Sequence, residues 1–98
     1  MIQINERDTV AVAVEDCAKG VEVTVKAPAP LEAYKITPIC DIPFGHKIAL
    51  KDICKGEIVI KYGKSIGKAS KDIKKGGLVG VHNIEGLRGR GDLAAKEG

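Results

Sequence analysis

The sequence predicts an all-β protein. Three observations carry the prediction. Short runs of β-branched residues alternate apolar with polar positions, Gly and Pro interrupt them at close intervals, and no stretch sustains three turns of 3.6-residue periodicity. Ninety-eight residues suit one compact domain, and no shift in composition divides them.

Val10-Ala11-Val12-Ala13-Val14 is the first strand-like run, and Val21-Glu22-Val23-Thr24-Val25 is the second. In the second, the valines point one way and Glu22 and Thr24 the other, as in a strand with one buried and one wet face. Ala27-Pro28-Ala29-Pro30 follows as a joint that needs few backbone donors, leading to the run Ala33-Tyr34-Lys35-Ile36. The turn Ile42-Pro43-Phe44-Gly45 launches His46-Lys47-Ile48-Ala49-Leu50. Glu57-Ile58-Val59-Ile60-Lys61 and Leu78-Val79-Gly80-Val81-His82 complete the set.

An Asp-x-x-Lys-Gly pattern recurs at Asp16–Gly20, Asp52–Gly56 and Asp72–Gly76, each time ahead of a strand. Asp is expected to cap a single helical turn, and Gly to end it in the left-handed conformation. Spacings of 36 and 20 residues are unequal, which favours folded-over hairpins over a solenoid. Residues 1–85 are expected to form the domain. Residues 86–98, Gly-rich and charged, are expected to be a flexible tail.

Composition narrows the function. Phe44, Tyr34 and Tyr62 are the only aromatics, so the core must be thin, with little room for a deep private pocket. The net charge of +3, from 16 basic and 13 acidic residues, is spread along the chain. A nucleic-acid partner is not expected, because it usually needs a clustered basic face with stacking platforms. A mildly positive surface can still steer an anionic metabolite. Cys17, Cys40 and Cys54 are odd in number and lack CxxC spacing, as expected for reduced thiols. The start of the chain has neither the basic nor the apolar region of a signal peptide, and no apolar run approaches the ~20 residues of a membrane span. A cytoplasmic protein with no membrane partner is expected.

The densest information runs from Asp41 to Asn83. It comprises the Ile42-Pro43-Phe44-Gly45-His46-Lys47-Ile48-Ala49-Leu50 turn and strand, Lys61-Tyr62-Gly63-Lys64-Ser65-Ile66-Gly67, and Val81-His82-Asn83. In order and spacing this resembles the SAF-type β-clip domain of the altronate and galactarate dehydratase family, which also forms the small subunit of sulfolactate sulfo-lyase. The likeness covers nearly the whole chain. It implies a β-clip of short strands with single helical turns. It further implies a small subunit of a sugar-acid hydro-lyase, not catalytic alone, that completes the active site of a separately encoded large subunit. Leu87-Arg88-Gly89-Arg90-Gly91-Asp92 resembles the linker that follows the domain in the family. The alternatives are a sulfolactate sulfo-lyase small subunit and a non-catalytic carbohydrate-binding module.

The chemistry independently asks for a partner. Removing a proton beside a carboxylate requires charge stabilisation, a base, and an acid for the departing hydroxyl. Two histidines and no carboxylate cluster cannot supply all three roles. His82 and His46 are the catalytic candidates, and Lys47, Tyr62 and Asn83 the substrate-binding ones. Each has a plainer role open to it: a His82–Asn83 pair bonded to a turn, His46 bonded within its turn, Lys47 solvated, Tyr62 packed. The family often carries His-x-His-Asn where this chain has Gly80-Val81-His82-Asn83. His82 is therefore the only metal candidate. An iron or manganese ion is expected, if anywhere, in the complex with the large subunit, and none on this chain alone. Gly86-x-x-Gly89-x-Gly91 lacks the strand-loop-helix setting of a phosphate loop, and Arg90-Gly91-Asp92 has no adhesive meaning in a cytoplasmic tail.

Overall fold

The computed structural model describes residues 1–86; residues 87–98 lie outside it, so only Gly86 of the expected tail is described. The described residues form strands and turns without a helix. β1 (Val10–Val12), β4 (Lys47–Ala49) and β7 (Leu78–Val79) make one antiparallel sheet in the order β1-β4-β7. β2 (Val23–Val25) pairs with β3 (Tyr34–Ile36), and β5 (Ile58–Lys61), β6 (Lys64–Ala69) and β8 (Ile84–Glu85) make a third sheet. Among the described residues no helix is long and apolar enough to cross a membrane.

Successive side chains of a strand face opposite ways, and the β1–β4 pair uses both faces. Ala11 and its partner Ile48 enter one core, with Val25, Ile36 and Ile42; Val10 and its partner Ala49 enter another, with Ile53, Val59 and Ile73. The sheet is therefore a wall between two thin cores. That is why Val10, Ala11 and Ala13 are all buried in a run that shows no wet face. In the second run the expected alternation holds for Val23 to Val25, but Val21 belongs to a turn and is exposed.

The Asp-x-x-Lys-Gly segments are not helical turns that cap themselves. They are β-turns that cap one another in pairs, and a fourth copy, Asp41-Ile42-Pro43-Phe44-Gly45, completes the set. The Lys19 N–H donates to Asp41 Oδ1 at 2.9 Å, and the Phe44 N–H to Asp16 Oδ1 at 2.8 Å. In the second pair, the Lys75 N–H donates to Asp52 Oδ1 at 2.9 Å and the Lys55 N–H to Asp72 Oδ1 at 2.8 Å. The residue after each Asp bridges to its counterpart, Cys17 to Ile42 and Ile53 to Ile73. The glycines have φ of +79°, +83°, +91° and +86°, the left-handed region where a Cβ is costly. Each glycine N–H donates to the carbonyl three residues before the partner's Asp: Gly20 to Pro38, Gly45 to Ala13, Gly56 to Ala69 and Gly76 to Ala49. One turn pair sits in each core.

Candidate functional site

The Gly45 turn delivers His46 and Lys47 to the start of β4, where Lys47 pairs with Val79 of β7. β7 then stops, and the chain folds back through Gly80–Asn83. Asn83 holds this loop. Its Oδ1 accepts the Gly80 N–H at 2.9 Å, its Nδ2 donates to the Leu78 carbonyl at 2.9 Å, and it is only 6% exposed. The amide is thereby occupied with backbone and acts as the clamp of the loop.

The result is a cleft of about 390 Å3 in which His46, Lys47 and His82 stand together, walled by Leu78, Val79 and Gly80. A second cleft of about 250 Å3 lies beyond, between Ile66, Val81 and Ile84. Lys47, Gly80 and Val81 line both. Ile66 reaches the second cleft through a bulge: Val59 pairs with Gly67 and Ile60 with Ser65, which leaves Ile66 as the extra residue. A roomier depression of about 510 Å3 near Asn5, Arg7 and Gly63 carries no histidine, so chemistry and not volume selects the site.

Among the described residues, the lining of the two clefts carries no carboxylate and no thiol. Burial lowers the pKa of Lys47 first, and the nearby charge of Lys61 lowers it further. Lys61 itself sits 4.7 Å above the Tyr62 ring. Tyr62 has a φ of 57°, is half exposed and does not line either cleft. His46 is exposed, with Nδ1 3.4 Å from the Phe44 carbonyl oxygen. His82 is exposed beside Gly80, where a Cβ would lie 3.4 Å from its Nδ1. Of the five residues singled out from sequence, three meet in the cleft, Asn83 supports it, and Tyr62 stands apart.

Sequence reasoning did not single out Val81 or Ile66. Val81 is 101% exposed at the tip of the clamped loop, and Phe44, next to Gly45, is 68% exposed. Among the described residues no three His, Cys, Asp or Glu side chains gather to hold a metal. Two imidazoles and an ammonium lack the further anionic donors of iron or manganese shells, so these residues alone do not fit such an ion. The cysteines are free: Cys17 buried, Cys40 partly so, and Cys54 exposed, its thiol pKa raised chiefly by Glu57.

A family described as the altronate/galactarate dehydratase SAF domain matches residues 1–87. The chain is 46% identical over 82 residues to altronate dehydratase of Escherichia coli (strain K12), a stretch that is 84% of this chain and 15% of that protein. It is 46% identical over 55 residues to (2R)-sulfolactate sulfo-lyase subunit alpha of Paracoccus pantotrophus, 56% of this chain and 82% of that subunit. Galactarate dehydratase (L-threo-forming) of Escherichia coli (strain K12) is 35% identical over 78 residues, 80% of this chain and 14% of that enzyme. The chain thus spans a small part of the dehydratases and most of one sulfo-lyase subunit.

Proposed function

The chain belongs to the altronate/galactarate dehydratase SAF-domain family, and on that premise we propose that it is the small accessory subunit of a carbon–oxygen lyase acting on a sugar acid in the cytoplasm. The observation that carries this reading is the convergence of His46, Lys47 and His82 in a cleft whose described residues include no carboxylate. Lys47 offers a cation to the substrate carboxylate, and the imidazoles offer a base and an acid near its α-carbon. Phe44 and Val81 present apolar groups beside the cleft, which a large subunit would cover while contributing the remaining catalytic groups. A divalent ion, where the reaction uses one, belongs to that partner.

A sulfo-lyase subunit is the second reading, favoured by the 82% coverage of the Paracoccus pantotrophus subunit. Coexpression with a dehydratase-type large chain tests both. The expected result is a stable complex that removes water from altronate or galactarate; sulfite release from sulfolactate instead selects the second reading. In the active complex, His82→Ala should lower turnover about 100-fold or more. Unchanged turnover removes His82 from the chemistry, and failure to form any complex removes the subunit reading itself.

A further inference from the structure

Gly80 occupies an unusual place: with Lys47 and Val81 it is on the wall of both clefts, and of the three it alone has no side chain to divide them. Resting on the sugar-acid reading above, we propose that Gly80 is a specificity-determining residue that joins the clefts into one trough for a long hydroxy acid. The carboxylate lies at Lys47 among the imidazoles, and the carbon chain runs past Gly80 along Ile66 and Ile84. A three-carbon acid fills only the first cleft, whereas a six-carbon acid fills both. Lys47 sits at the junction, so one cation serves the ligand head while the apolar walls of the second cleft take the C–H faces of its tail. Asn83 keeps the joint open, because its bonds to Gly80 and Leu78 fix the loop from below.

A side chain at position 80 is sterically permitted. Its Cβ would meet nothing closer than the His82 ring at 3.4 Å, so a substitution there fills the trough without unfolding the loop. The test uses the full 98-residue chain, labelled with 15N and titrated with sodium altronate or sodium glycerate. Altronate should shift the amides of His46, Lys47 and His82 together with those of Ile66 and Ile84; glycerate should shift only the first group. Gly80→Leu should abolish the second group of shifts and weaken altronate about tenfold. Ile66→Trp, which blocks the trough from its far end, should do the same. If both acids move the same residues, or both variants leave altronate binding intact, the trough is disproved while the cleft keeps its acid-binding role. If neither acid moves any residue, the acid-binding assignment of the cleft falls with it, whereas complex formation with a large chain judges the subunit reading separately.

Discussion

The fold alters the protonation of Lys47. Burial is the larger cause and Lys61 the lesser, and both disfavour the ammonium. The folded chain therefore releases this proton at a lower pH than the unfolded chain does. Stability rises with pH across the window between the folded value and the ordinary lysine value, because there the unfolded state binds more protons. Anion binding through Lys47 runs the other way, and fades as pH climbs through the folded value. Lys61→Met should move the Lys47 titration upward, though not fully to the ordinary value, since burial remains. NMR titration of the Lys47 side chain checks this, and an unmoved midpoint would falsify the coupling to Lys61. His46, Lys47 and His82 were legible because a short motif names them, but their convergence was not: it depends on the β4–β7 pairing between residues far apart in sequence. Sequence leaves Asn83 open between a substrate-binding group and a residue bonded to a turn, since a buried clamp and an exposed binder use the same amide. Only its 6% exposure and two backbone bonds distinguish them.

The element that organises the fold is the reciprocal turn pair. Asp52 and Asp72 each accept one N–H from the other's turn, so removing either leaves both turns half-tied. Asp52→Ala should cost about 1 kcal/mol, in the range of lost capping carboxylates. Asp72→Ala added to it should cost less than the sum of the two, because the second change acts on a pair already loosened. Asp52→Ala with Asp16→Ala should be additive, since those carboxylates serve different pairs and cores. Urea unfolding of the single and double variants measures this cycle; full additivity of Asp52 with Asp72 would show that the turns are capped independently. Three of the four turns were recognisable as one pattern in sequence through Lys-Gly. The fourth also read as a turn, but its kinship with the other three was concealed because Pro43-Phe44 replaces the x-Lys pair, while the Asp, the buried residue after it and the Gly remain. The direction of capping could not be read at all, since self-capping and cross-capping use one motif and differ only in which turns meet. Each of the six strand-like runs contains a strand, but the last stops at Val79, where Asn83 turns the chain back. β8 passed unnoticed because two residues carry no period.

At the scale of the whole molecule, the two thin cores decide how the chain unfolds. The first gathers Ala11, Val25, Ile36, Ile42 and Ile48, all from the first half of the chain; the second gathers Ile53, Val59 and Ile73 from the second half, with Val10 and Ala49 crossing over. Two such cores could melt separately if a loop joined them. Here β1 and β4 supply alternate residues to both, so losing either core strips one face of the shared sheet and exposes the other. Unfolding should therefore be a single transition, in which Ile42→Ala and Ile53→Ala each lower stability by about 3 kcal/mol. The two tyrosines provide the probes. Tyr34 packs against the first core, Tyr62 sits at the turn of the β5–β6 hairpin whose Val59 and Ala69 belong to the second, and the sequence has no tryptophan to obscure them. Tyr34→Phe and Tyr62→Phe give single-tyrosine chains whose fluorescence follows one half each. With a shared wall, Ile42→Ala should shift the Tyr62 midpoint as much as Ile53→Ala does, although Ile42 belongs to the opposite core. Separate midpoints would mean that three-residue strands are too short to couple the halves, and that the cleft loop, anchored on β7 in the second half, could open while His46 and its turn stay folded.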